Sequence, residues 1–439
     1  MRSDGRVPVA IVGGGYSGTI IAAQLARRGI GSVLIDGSGR MGRGVAYSTA
    51  EPAHLLNVCA DGMSAWADDP DHFARRFGSE GGVATGFAQR RLFGRYLGEI
   101  LDEAIVSGNV DIVHQPATRA VRSDGAWRIE LGQGEPINAD ALILAVGNQE
   151  PEPLSPFTGI GDRFIRDPWG AASRAAVAEL AATGGTALLV GTGLTMIDLV
   201  LSLDAAGYPG RIVALSRRGL IPRSHADFNL VPVERQELPF GNLRALWRWL
   251  RKRGAEVGWR AAIDSLRPHS HALWQSLDGG QQRRFLRHAR PWWDVHRHRI
   301  APEVAQLLAR MIGDGRLEIV AGRIIGAQDN EAGLTVEYRR RGSGQGQAAT
   351  FTYGFNCTGP LHSIARTRDP LLRSLLDAGL IHADHLGIGL DVDDASRAGA
   401  RLWALGPLTK GRYWEIIAVP DIRDQAAAVA GDIAKELGR

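Results

Sequence analysis

The sequence predicts an α/β protein in which one parallel-sheet unit is inserted into another and carries a helical extension. Three observations predict this. An apolar strand running through a glycine-rich turn into an apolar helix occurs twice, at residues 9–25 and 187–203. Each copy is followed by short strands with glycine turns and a returning apolar strand that ends at a glycine, within residues 110–147 and 317–359. Between the second copy and its return lies a stretch of helical periodicity dense in arginine and tryptophan. With 439 residues the chain has room for about two or three domains.

Composition narrows the class. Hydrophobic residues make up 44% and charged residues 22%, which excludes collagen, coiled coil and wholesale disorder. The 56 glycines point to tight turns and close backbone approach. A net charge of +4 is too small to argue for a nucleic-acid partner. The two cysteines, Cys59 and Cys357, stand far apart, so a disulfide framework and Cys-x-x-Cys chemistry are excluded. There is no signal-peptide pattern and no apolar run long enough to span a bilayer. A soluble, cytoplasmic protein is expected.

The first glycine turn carries the full logic of a dinucleotide site. Gly13, Gly15 and Gly18 give G-x-G-x-x-G between the strand and the helix. Gly13 permits the tight turn, Gly15 lets backbone N–H groups approach a pyrophosphate, and Gly18 lets the helix pack on its strand. The helix N-terminus adds partial positive charge. A second strand ends in Asp36, where a carboxylate would accept hydrogen bonds from ribose hydroxyls. The returning strand of this unit, ALILAVG, ends at Gly147 and Asn148.

The second copy is weaker. Gly191 and Gly193 are present, but Met196 occupies the third glycine position. Its second strand ends in Ser216, Arg217, Arg218 and Gly219 instead of an acid. Arginines pair with a 2′-phosphate that a carboxylate would repel, so this copy favours NADP over NAD. Two exposed arginines at a strand end are the plainer alternative. The order of the two units fits one nucleotide domain inserted into another, with the outer domain at 1–160 and 361–439 and the inner one at 161–360.

Residues 241–300 hold 13 Lys/Arg against 4 Asp/Glu. Leu243, Leu246, Trp247 and Leu250 recur at helical spacing, so at least one amphipathic helix is expected. A helical subdomain with arginines on its wet face is the plain reading of the segment at about 225–310. A lid that closes over NADP and recruits an anionic substrate is the sharper one. RNA and membrane-surface readings rank lower, because no recognition signature accompanies the charge. Its five histidines, His269, His271, His288, His296 and His298, lack a metal-site spacing, and no metal is expected. Neither a nucleophile elbow nor a Walker lysine is present.

With these motifs the sequence resembles the two-dinucleotide-binding-domain flavoproteins. Within them it is most similar to class B flavin-dependent monooxygenases and to a bacterial FAD/NAD(P)-binding group that includes aspartate N-monooxygenase-like enzymes. The resemblance covers nearly the whole chain. It is carried by GRGVAYS at 42–48, HLLNV at 54–58, PWG at 168–170, WWDVHRHR at 292–299 and LGPLTKGRYWEIIAVPDIRDQA at 405–426.

The resemblance implies a Rossmann-like FAD domain in two chain segments and an inserted NAD(P)-binding Rossmann domain. FAD would be held by Gly13, Gly15, Gly18 and Asp36, then by Gly42, Arg43 and Tyr47, with Asn57 near the flavin. Arg91 would approach the adenine side and Gly406 the ribityl chain, although Pro407 replaces the usual aspartate. A helix beginning near Pro420 would point its N-terminus at the flavin. Gly147 would close the FAD turn, and Gly191, Gly193, Arg217 and Arg218 would hold NADPH. Arg43, Asn57 and His296 are the candidates for the catalytic face. Disulfide-reductase chemistry is excluded by the cysteines. The Baeyer–Villiger motif is broken, since Arg163 and Asp167 stand where its His and Trp belong and Trp169 comes two places late. The implied activity is N-hydroxylation of an amine or amino acid, an anionic one in the lid reading, through a flavin C4a-hydroperoxide formed with O2. A dehydrogenase or oxidase without oxygen insertion, and a flavin-bound redox sensor, are the alternatives.

Overall fold

The computed structural model describes residues 5–439. Strands β1 (Val7–Val12), β2 (Ser32–Ile35), β3 (Val110–Val113), β4 (Ala117–Ser123), β5 (Ala126–Leu131) and β6 (Ile137–Leu144) open the chain. Then come β7 (Phe164–Ile165), β8 (Thr186–Val190), β9 (Arg211–Ser216), β10 (Leu317–Asn330), β11 (Gly333–Arg340), β12 (Gly346–Phe351) and β13 (Tyr353–Asn356). The last two are β14 (Arg397–Gly399) and β15 (Leu402–Ala404). The first sheet has the order β14-β15-β6-β1-β2-β3, with β5 pairing both β6 and β4; the second runs β12-β11-β10-β9-β8-β13-β7. The first sheet is thus completed by residues on both sides of the second, the α/β arrangement expected from the sequence.

The parallel strands are buried on both faces, which is why they read as continuous apolar runs. Along β1, Val9 and Ile11 point to the core shared with helices Tyr16–Ala26, Arg90–Val106 and Val419–Glu436. Val7, Ala10 and Val12 point to the opposite core, with Leu371, Leu372 and Leu375 of helix Pro370–Asp377. The second sheet repeats this two-faced burial.

The two units are built alike at atomic level. Gly13 N–H donates to the Ile35 carbonyl at 2.9 Å, and Gly191 N–H to the Leu215 carbonyl at 2.8 Å. Ala145 N–H donates to Val12 and Cys357 N–H to Val190, each at 2.8 Å. They differ in where the antiparallel hairpin attaches. β5 pairs with β6 in the first sheet, whereas β11 pairs with β10 in the second. The reason is length: β10 is 14 residues long, so it pairs with β9 through Ala321 and still has residues left for β11, while β3 ends at Val113.

The arginine- and tryptophan-rich segment folds into short helices from Leu243 to Arg297 around a small core of its own, including Ile263, Leu266, Leu273 and Trp293. The face carrying Leu246 and Leu250 packs inward, with Trp249. The following helix, Pro302–Gly313, does not belong to this group. Its Val304, Leu308 and Met311 pack on the second sheet, as a crossover helix between β9 and β10 must.

A buried ion pair joins the two units. Arg90 donates from Nη1 and Nη2 to the two carboxylate oxygens of Asp198 at 2.8 and 2.9 Å, with 13% and 5% of the side chains exposed. Arg90 Nε also donates to the Leu55 carbonyl at 3.0 Å. The ring of His54 lies between the units as well. Its Nε2 donates to the Asp198 carbonyl at 2.9 Å, which leaves Nδ1 to accept from the Thr49 hydroxyl. Ala53, Leu55 and Phe87 pack against the core of the second sheet around this contact. Removing one partner leaves the other charge buried and unpaired, so Arg90→Met and Asp198→Asn are each expected to destabilise the protein by about 3 kcal/mol. The double substitution should cost less than the sum of the two. A double-mutant cycle from denaturant unfolding checks this.

Candidate active site

The first glycine turn has no room for side chains. Gly13 has φ +106°, and a Cβ there would lie 2.4 Å from the Ala145 carbonyl oxygen. A Cβ on Gly18 would lie 1.8 Å from the Gly13 oxygen, so the helix sits directly on its strand. The N-cap Gly15 provides no side-chain cap, which leaves the first-turn amides to an external acceptor. Gly44 closes the other side, since a Cβ on it would lie 2.9 Å from Gly15 Cα. Asp36 is fixed at the end of β2, its carboxylate accepting from Gly14 N–H at 2.6 Å and Ser38 N–H at 2.7 Å. Arg43 is exposed next to this turn. Tyr47 packs edge-on against Phe93 at 4.7 Å, and burial pushes its phenol up to about 12.

The second turn copies the first. Gly191 has φ +117°, and its Cβ would lie 2.3 Å from the Cys357 carbonyl oxygen. Gly193 is again an N-cap without a side-chain cap, and a Cβ there would meet nothing within 4 Å. Met196, at the position of Gly18 in the first turn, is fully buried in the core of the second sheet. At the end of β9, Arg217 is exposed and Arg218 half-buried.

The C-terminal segment returns beside the first turn. Gly406 has φ +64°, its N–H donates to Gln425 Oε1 at 2.8 Å, and a Cβ would lie 2.6 Å from Ser17 Oγ in the first-turn helix. Beyond it, Gly147, Asn148, Leu361, Pro407 and Lys410 line a cavity of about 20 Å³, room for one water. Lys410 Nζ donates to Asn148 Oδ1 at 3.2 Å. Burial, reinforced by the Arg290 guanidinium, pushes its ammonium down to about 8, against the pull of Asp294. His362 is lowered by burial and by the Arg290 guanidinium, against the pull of Glu152, with smaller contributions from Lys410 and Arg217. His298 falls to about 4, chiefly through burial.

Residues 10–149 match the family model of FAD-NAD(P)-binding proteins. No curated protein matches the chain in sequence. Among solved structures, the L-lysine 6-monooxygenase of Pseudomonas syringae is similar, with 17% identity, a TM-score of 0.68, and 98% of this chain and 99% of that one covered. The reduced ornithine hydroxylase of Pseudomonas aeruginosa gives 16% identity and a TM-score of 0.65 over 98% of this chain and 100% of that one. The fold is that of a two-dinucleotide-binding-domain flavoprotein. The bacillithiol disulfide reductase of Staphylococcus aureus shares this flavoprotein fold, at 12% identity and a TM-score of 0.60, with 98% and 99% covered.

The flavoprotein fold is that of the flavin-dependent oxidoreductases, with FAD and NADP(H) as cofactors. The residues present fit them. Both glycine turns are cradles that a Cβ would fill on the strand side, and both helix N-termini are uncapped toward the open side. Among the described residues no helix is long and apolar enough to cross a membrane.

The other expected site residues have the following surroundings. Arg91 is on the exposed face of its helix, donating to Gln89 Oε1, and Arg90 turns inward instead. Spacing carries the signal: Arg90, Phe93 and Leu97 share one helical face, and Arg91 does not. His296 packs edge-on against Trp259 at 4.9 Å and donates from Nδ1 to the Trp292 carbonyl at 2.7 Å, inside the helical extension. Asn57 is half-buried, and its carbonyl accepts from His225 Nε2 at 3.0 Å. Pro420 is the second residue of helix Val419–Glu436, whose start Tyr16 reaches by donating to the Val419 carbonyl at 3.1 Å. No local pattern marks Lys410 or Glu415 as residues that tertiary packing will bury.

Gly13→Ala is expected to abolish FAD retention and lower Tm, whereas Gly193→Ala should fold with full FAD content; flavin absorbance and thermal unfolding of the two variants compare them. Lys410 provides a second check. Its folded-state affinity for the proton is below that of the unfolded chain, so stability rises as pH increases from about 8 to 10.5. Denaturant midpoints of the FAD-free protein should show this rise, and Lys410→Met should lack it.

Proposed function

We propose that this chain is an FAD-dependent, NADPH-using monooxygenase that hydroxylates the nitrogen of an amine or amino acid. The observation that carries the reading is the end-to-end likeness to amino-acid N-hydroxylases in a chain without a redox-active cysteine pair. Besides the two oxygenases above, an ornithine N-hydroxylase of Kutzneria, solved with reduced FAD, NADP+ and L-ornithine, matches with a TM-score of 0.65. Both cysteines are free, and burial pushes the Cys357 thiol well above its ordinary range. A thiol held protonated in this way is a poor nucleophile.

The balanced reaction takes R–NH2, O2, NADPH and a proton to R–NHOH, water and NADP+. When bound, FAD supplies hydride acceptance and dioxygen activation. The chain supplies the rest. The first-turn amides after Gly15 and the Asp36 carboxylate hold the pyrophosphate and ribose of FAD, with Gly42, Arg43 and Tyr47 along its length. The turn at Gly191 and Gly193 holds NADPH, and Arg217 and Arg218 attract its 2′-phosphate. Arg290 and Lys410 give the region between the two turns a positive potential suited to an anionic substrate. The helical extension lies over the segment before the C-terminal helix and keeps water from it: Trp274 donates to the Gly411 carbonyl at 2.9 Å and stacks on Trp414 at 4.9 Å.

A second reading, an NAD(P)H-dependent reductase or oxidase without oxygen insertion, is favoured by the likeness to the bacillithiol disulfide reductase. One experiment separates the two. The FAD-loaded protein is reduced with NADPH or NADH under anaerobic conditions and then mixed with O2 and a panel of primary amines and amino acids. Faster reduction by NADPH, with hydroxylamine product replacing H2O2 for at least one substrate, is the expected outcome. Stoichiometric H2O2 with every amine would replace the monooxygenase reading by the oxidase one.

A further inference from the structure

The segment that launches the C-terminal helix is held in an uncommon backbone conformation by the helical extension. Glu415 has φ +75°, a left-handed value that disfavours any residue with a Cβ. Its side chain is buried and doubly bound. Trp293 Nε1 donates to one carboxylate oxygen, and Arg297 Nε donates to the other at 3.1 Å. Both donors stand on helix Arg290–Arg297. The residues just before it are pinned too. Trp414 lies between Trp274, stacked at 4.9 Å, and Phe285, edge-on at 5.3 Å.

From Glu415 the chain turns at once. The Glu415 carbonyl accepts from Ile417 N–H at 2.6 Å, and helix Val419–Glu436 begins two residues later without a side-chain cap. The turn at Glu415 therefore lies just before the helix start, with Ile416 to Ala418 between them. A buried ion pair that served packing alone would have no need of a left-handed backbone at the same residue.

We propose that Glu415 is a positioning residue for the FAD site: Arg297 and Trp293 hold it in the left-handed conformation and so aim the first turn of the C-terminal helix at the bound cofactor. The inference rests on the flavin reading above. A helix N-terminus at the flavin stabilises the negative charge of the reduced state, so its aim sets the redox balance. The helical extension thereby acts on the flavin through the backbone, without touching it.

The test compares FAD affinity and the two-electron midpoint potential in wild type, R297M, E415Q and R297M/E415G. R297M frees Glu415 to leave the left-handed region. It should weaken FAD binding about tenfold and shift the potential by about 30 mV to the negative, a tenfold loss of preference for reduced over oxidised FAD. R297M/E415G removes both charges, and glycine adopts the positive φ without strain, so it should return to the wild-type potential. E415Q keeps the acceptor for Trp293 but loses the charge; it should shift the potential in the same direction by less, and it carries the comparison if R297M does not fold. A lowered Tm with an unchanged potential in R297M, or a double variant as impaired as the single, overturns the positioning role. If wild type takes up no FAD, the flavin reading fails and this inference with it; if wild type binds FAD and the potentials do not move, the inference alone fails.

Discussion

The architecture depends on the buried pair between Arg90 and Asp198. Each glycine turn is rigid within its own unit, but nothing inside either unit fixes the angle between them. Arg90, on the helix that follows the first turn's loop, and Asp198, on the helix that begins at Gly193, settle that angle with two parallel hydrogen bonds. His54 adds a third connection to the same residue through its backbone. Buried pairs of this kind contribute little net stability compared with apolar packing, because both ions lose their hydration. What they supply is direction, since a guanidinium fork accepts a carboxylate in few orientations. Here that fork ties helix Arg90–Val106 to the helix that begins at Gly193.

The two turns share one backbone solution. Gly13 and Gly191 have nearly the same φ and the same forbidden contact with a carbonyl on the returning strand. The differences lie at the periphery. Gly18 leaves no room for a Cβ between its helix and the turn, while the matching Met196 is a buried core residue. Asp36 ends one second strand and Arg217 ends the other. In the proposed reading ligand choice lies in side chains outside the cradle, and the cradle itself is common to both units.

Much of the fold was legible in the sequence because its determinants are local. A glycine turn, an apolar strand and an apolar helix declare themselves within about thirty residues. The site was legible only where it is made of those turns. Arg90 and Asp198 are more than a hundred positions apart, and neither means anything without the other. Lys410 reads as a surface lysine until the loop at Gly147 and Asn148 folds against it. His296 is a candidate only through the segment at 292–299, and its ring packs edge-on against Trp259 within the helical extension. Helical phase was the one overlooked local cue, and it would have selected Arg90 over Arg91.

The split first sheet also imposes an order on synthesis. β6 gains its neighbour β15 only when residues near 402 have been made, and Trp403, Leu405, Val419 and Ile433 complete the core that Val9 and Ile11 began. The second sheet has all its strands by Asn356. On the ribosome the inner unit can therefore mature while the outer one still waits with an open edge at β6. The chain order of the strands thus runs against the usual course in which the N-terminal domain is completed first.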